Sequence, residues 1–214
     1  MFSIFMASLM SVQAAPQEYT LNSKGRNLYV TVYKDDSTLL SAAAHNHAIR
    51  ATNLTSSIKW DAEDLSACKI NISLNVADLE VDSEQSRSLA ASKEKDAKIR
   101  KGFEKSISDS DRKAVRKNML SAKQLDGETH KTIEFKSTSC TDKSISGDFT
   151  LHGVTKSITM PARISVDNEK ATKFSVNGSF PIKSTDYGFE PYSDLGGAVK
   201  NQDGMTIHVR IKAE

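Results

Sequence analysis

Cys68-Lys69-Ile70-Asn71-Ile72-Ser73-Leu74-Asn75-Val76 alternates apolar and polar side chains without a break. Successive side chains of an extended strand point to opposite faces, so this stretch is a strand with one buried face. The same period recurs through Ile158, Met160, Ala162, Ile164 and Val166, and through Phe174, Val176, Gly178, Phe180 and Ile182. It returns in Met205, Ile207, Val209 and Ile211. Shorter versions lie at Leu28/Val30/Val32, at Ile133/Phe135 and at Ile145/Gly147/Phe149/Leu151. Between them Asn22-Ser23-Lys24-Gly25, Asp167-Asn168 and Asp203-Gly204 carry turn chemistry. Many one-faced strands with short connections and no interleaved helices predict an all-β, antiparallel sheet, closed or sandwiched. Closure is favoured physically because it removes exposed edges.

One segment departs from this period. Residues 84–120 are rich in Lys, Glu, Asp, Ser and Ala and read as a helical or loop insertion, not a second domain. Ser110 or Asp109 would cap a helix from Asp111 to about Leu120, with Ala114, Val115 and Met119 inside. The Lys93–Lys105 stretch alternates bases with acids and reads as a solvated face.

The chain has 214 residues, with 38% hydrophobic and 26% charged, as expected for a globular protein of one large β domain. A net charge of +2, from 29 basic and 27 acidic residues, gives no electrostatic case for nucleic acid as a partner. The N-terminal MFSIFMASLMSVQA is apolar, too short to span a membrane, and ends in the small residues Val12 and Ala14. It reads as a signal peptide over 1–14, cut after Ala14 or Ala15, although no basic residue precedes it; the alternative is a buried N-terminal helix. Residues 15–214 then form the mature domain, with no transmembrane segment. Cys68 and Cys140 could pair in an oxidising compartment or remain buried thiols.

Signatures of catalysis are absent: no phosphate loop, paired-cysteine metal spacing, helical double-His site or nucleophile elbow occurs. Neither an enzyme nor a cofactor is indicated. Ala44-His45-Asn46-His47 stands out. On a strand, His45 and His47 share a face with Leu39, Ser41, Ala43 and Ile49. Two imidazoles could join a third metal ligand, contact a ligand headgroup, or be ordinary hydrogen-bonded histidines. His152 and His208 fall on faces opposite the apolar ones. Phe135, Phe149, Phe174, Phe180, Tyr187 and Phe189 either fill a core or line a cavity, and pattern alone leaves both open. Gly147 and Gly178 on inward faces mean open space or close backbone approach.

The C-terminal half, with Lys131-Thr132-Ile133-Glu134-Phe135-Lys136-Ser137 and Ile145-Ser146-Gly147-Asp148-Phe149-Thr150-Leu151-His152-Gly153-Val154-Thr155-Lys156, resembles the YceI family of bacterial periplasmic proteins. So do Thr185-Asp186-Tyr187-Gly188-Phe189, the final strand ending at Lys212, the approach from Asp111 to Leu125, and the Ala44–His47 segment. The resemblance implies a lipocalin-like antiparallel barrel of about eight strands around an elongated apolar cavity. It implies periplasmic binding or carriage of a long-chain isoprenoid or other amphipathic lipid. Ile70, Ile72, Leu74, Phe135, Phe149, Leu151, Phe174, Phe180 and Phe189 would then contact the tail. His45, His47 and the Lys93–Lys105 loop would face the head. A homodimer stays open. Two other functions are a lipid- or quinone-linked enzyme or redox partner with a His-based metal, and a stress-related envelope scaffold without ligand.

Overall fold

The computed structural model describes residues 16–166 and 173–214, so the expected signal peptide and the Asp167-Asn168 turn lie outside the described residues. Twelve strands form one antiparallel sheet: β1 Gln17–Tyr19, β2 Leu21–Lys34, β3 His47–Ala51, β4 Thr55–Trp60, β5 Lys69–Asn75 and β6 Leu79–Val81, followed by β7 Thr132–Cys140, β8 Ser144–Leu151, β9 Val154–Val166, β10 Phe174–Lys183, β11 Ser193–Asp194 and β12 Val199–Ala213. Three helices, α1 Glu84–Lys93, α2 Ala97–Glu104 and α3 Asp109–Met119, occupy the expected insertion.

The sheet order is β1-β4-β5-β7-β8-β9-β10-β12-β2-β3-β6, with β11 paired to β12. β1 and β2 are separated only by Thr20, which exchanges backbone hydrogen bonds with Glu214 at the end of β12. One bent N-terminal strand therefore pairs with β4 at its start and with β12 along its length. That bend brings the sheet round into a barrel. The count of twelve corrects the expectation of about eight, because β1 and β2 are one path broken at Thr20 and β3, β6 and β11 are short additions at the rim.

Two expected turns are not turns. Residues 22–25 lie within β2 and Asp203-Gly204 within β12. Asp203-Gly204 sits where the β2–β12 register slips between Asn201 and Met205, so it makes a bulge within a long strand. The tight hairpin falls instead at His152-Gly153, with φ of 52° and 73°, joining β8 to β9. Gly147 and Gly178 are glycine because neighbours approach closely. A Cβ on Gly147 would lie 2.5 Å from the Lys136 carbonyl oxygen, and one on Gly178 would lie 2.6 Å from that of Pro161. The open-space reading is thus rejected.

Inside the barrel, Ile58, Ile70, Ile72, Ile145, Met160, Phe174, Val176 and Ile211 are buried. Trp60 and Phe174 meet at 5.4 Å between ring centroids, and Phe149 is edge-on to Phe180 at 5.6 Å. Cys68 and Cys140 form a disulfide that ties the start of β5 to the end of β7, across 72 residues of chain.

Tyr29 and Thr31 lie on the outer face of β2, yet both are buried. Helices α1 and α2 cover them, building a second small core from Tyr29, Ala48, Ala90 and Phe103. His208 joins this outer layer, stacked on Tyr29 at 4.6 Å and hydrogen-bonded to Thr31. Burial pushes its pKa down to about 4. The Lys93–Lys105 stretch is accordingly a packed helical element, with Phe103 buried on its inner side, rather than a wholly solvated face. α3 begins two residues earlier than expected, because Ser108 caps it by accepting from the Asp111 backbone N–H.

Candidate functional site

A cavity of about 440 Å³ occupies one end of the barrel. Its walls come from alternate inward residues of β2, β5, β8, β10 and β12, including Leu28, Val30, Leu74, Leu151, Ile182 and Met205. α3 lies against it and contributes Asp111, Ala114, Val115, Asn118 and Met119. This stripe recurs at helical spacing, so one face of an otherwise charged helix can cover an apolar opening. A second cavity of about 50 Å³ lies deeper, lined by residues such as Ile70, Ile72, Met160 and Val176. Leu28, Leu74, Ile133, Phe149 and Ile207 border both spaces, so the deeper one lies directly beyond the first along the barrel.

The nine tail residues and two histidines named for a ligand each border one of these spaces. Leu151 and Phe189 line the outer cavity, together with His45 and His47. Ile70, Ile72, Phe135, Phe174 and Phe180 line the inner one, and Leu74 and Phe149 line both. The Lys93–Lys105 stretch does not: it packs outside β2 and β3 and contributes no side chain to either wall. Leu39 departs too. It is 90% exposed, and Ser41–Ala43 form a short 3-10 turn, so the strand that was to align them with the histidines begins only at His47.

The two histidines are nevertheless brought together, with ring centroids 6.4 Å apart. His45 stands at the entrance and His47 deeper in. Burial depresses the His45 pKa, neighbouring His47 and Arg87 push it the same way, and Asp111 and Asp82 pull against them. His47 Nδ1 lies 2.6 Å from Asp82 Oδ2, while Asp82 Oδ1 accepts from the Ala48 backbone N–H at 2.9 Å. Arg87 completes the group. It donates to Asp82 Oδ1 at 2.9 Å and to the carbonyls of Asn46, Gly102 and Lys105. Burial works to raise the Asp82 pKa, but the His47 contact, the Ala48 N–H and the Arg87 charge hold it below the usual carboxylate range.

Asn46, between the histidines, faces the other way. It accepts from the Lys34 N–H and donates to the Ile99 carbonyl. A Cβ on Gly102 would come within 2.7 Å of the Asn46 amide nitrogen, so glycine spares that hydrogen-bonded amide a shift. The motif therefore divides its labour: His45 and His47 face the cavity, and Asn46 binds the insertion that carries Arg87. Asp82 and Arg87 were not anticipated from sequence. The available signal was the helix start at Ser83, which caps α1 and places Asp82 immediately before it and Arg87 one turn in. Among the described residues no group of three or more His, Cys, Asp or Glu is arranged to hold a metal ion.

An antiparallel barrel, hollow and apolar at one end with two imidazoles near its mouth, defines a lipocalin-like binding fold. Residues 19–213 match the YceI-like domain, and the chain belongs to that family. Solved structures agree on the fold. Burkholderia cenocepacia BcnA aligns with a TM-score of 0.62 at 11% identity, over 91% of this chain and all of that one (100%). A polyisoprenoid-binding domain from Saccharophagus degradans, implicated in plant cell wall breakdown, aligns at 0.54 and 11% identity, covering 92% and 97% of the two chains. The Campylobacter jejuni YceI protein aligns at 0.52 and 12%, covering 78% and 84%. Comparison with curated proteins gives no match. No helix among the described residues is long and apolar enough to cross a membrane.

Proposed function

We propose that this protein binds a long-chain isoprenoid or similar amphipathic lipid in the barrel and carries it through the periplasm. The observation that carries the reading is the apolar cavity of about 440 Å³ with a smaller apolar space directly beyond it, both bordered by Leu28, Leu74, Ile133, Phe149 and Ile207. A polar-mouthed, apolar-walled tunnel suits a chain with one hydrated end. The inward leucines, isoleucines and phenylalanines named above bury the tail, and His45 and His47 meet the head. The polyisoprenoid-binding relative supports the ligand class. The Cys68–Cys140 disulfide supports an oxidising compartment, which residues 1–14 would reach as a signal peptide.

Delipidated protein reloaded with a fluorescent long-chain prenyl lipid tests this. Wild type takes up about one equivalent, while Leu28→Trp with Ile207→Trp, which fills the junction of the two spaces, takes up none. No uptake by wild type, or equal uptake by the filled variant, overturns the reading.

A further inference from the structure

The proposed lipid leaves its headgroup chemistry open, and the cavity mouth constrains it. Among the described residues no lysine or arginine lines the outer cavity, and the one carboxylate that does is Asp111 on α3. A phosphate or pyrophosphate head would meet no countercharge there and would face an anion. Like charges brought together at the mouth repel, whereas a neutral head does not.

His47 supplies what remains. In its neutral form the imidazole has one N–H, and the 2.6 Å contact with Asp82 fixes that proton on Nδ1. Nε2 is then left with a lone pair and no partner among the described residues. The His47 side chain is 12% exposed, and the surface it keeps borders the cavity. No buried side-chain nitrogen or oxygen among the described residues lacks a partner, so Nε2 is not sealed in the protein. Arg87 holds Asp82 from behind and donates three further N–H groups to the Asn46, Gly102 and Lys105 carbonyls. Asp82 therefore already has a full cationic partner, and its role toward His47 is to orient the ring and its tautomer.

From this geometry, and resting on the lipid-binding reading, we infer that His47 is an acceptor for an uncharged, hydrogen-bond-donating head: an alcohol or a hydroquinone hydroxyl. The donor is required because a quinone carbonyl or an ether oxygen would set lone pair against lone pair at Nε2. His45, at the entrance, is a weaker second acceptor. Asp82 and Arg87 act as positioning residues.

Geranylgeraniol, its methyl ether and its monophosphate, each competing at about pH 8 against a bound fluorescent lipid, separate the two readings. The alcohol should bind about fivefold more tightly than the ether, the scale of one neutral hydrogen bond, and the monophosphate more weakly than either. In His47→Leu the alcohol should lose most of its advantage over the ether while ether binding is kept; a merely structural loss would weaken both. In His45→Ala the preference should survive, reduced. Equal wild-type binding of alcohol and ether, or tightest binding of the monophosphate, overturns the headgroup assignment and leaves lipid binding intact. Failure of wild type to take up the fluorescent lipid at all overturns both.

Discussion

Arg87→Met removes the cation from the buried group that joins α1, α2 and β3 while keeping most of the side-chain length. Asp82, whose side chain is fully buried, loses a 2.9 Å partner, and the carbonyls of Asn46, Gly102 and Lys105 lose their donor. Removing one member of a buried ion pair costs about 3–5 kcal/mol, because the other charge is left uncompensated. For a chain of this size each kcal/mol moves Tm by about 2–4 °C, so the melting point should fall by about 6–20 °C. Urea unfolding followed by circular dichroism measures the loss directly. In an Asp82→Asn background the same substitution should cost at least about 1 kcal/mol less, since the stranded charge is gone. A loss below about 1 kcal/mol in the wild-type background, or an identical loss in both, would refute the claim that the Asp82–Arg87 pair locks the insertion to the barrel.

Replacing both Cys68 and Cys140 with Ser opens a loop spanning 72 residues. Loop entropy puts the loss near 4 kcal/mol, and reductant should lower the wild-type Tm to match; unchanged melting in reductant would contradict the bond. His208 gives stability a pH dependence. Its folded pKa of about 4 lies below the ordinary value of 6.5, so in that interval only the unfolded chain takes up the proton. Stability is full above about 6.5 and falls as pH drops toward about 4. His208→Gln should flatten that part of the urea-midpoint profile, and an unchanged slope would remove His208 as its source.

The inward faces were legible because a strand's period of two is written directly in residues such as Ile70, Ile72 and Leu74. The outer faces were misleading. Tyr29, Thr31 and His208 occupy positions a two-layer reading assigns to solvent, yet they are buried because α1 and α2 return over β2. That packing is long-range and leaves little local periodicity. The same holds for Asp82, which sits at a left-handed φ of 50° in a short connection and meets His47 from 35 residues away. Strand count failed for a related reason. Whether Thr20 bends one strand or separates two depends on pairing partners at the opposite end of the chain. Hollowness was equally invisible, since alternation shows which residues face inward but not whether their volumes meet. His45 and His47 were found because two imidazoles so close together are conspicuous. Their division into an entrance residue and an oriented inner one needed the partners.

The most direct test of a lipid held in the barrel is mass spectrometry of the organic extract of protein purified without detergent from its native host. One long-chain isoprenoid or comparable lipid per chain is expected, lost in the Leu28→Trp, Ile207→Trp variant. An extract with no stoichiometric lipid from folded wild-type protein would contradict it.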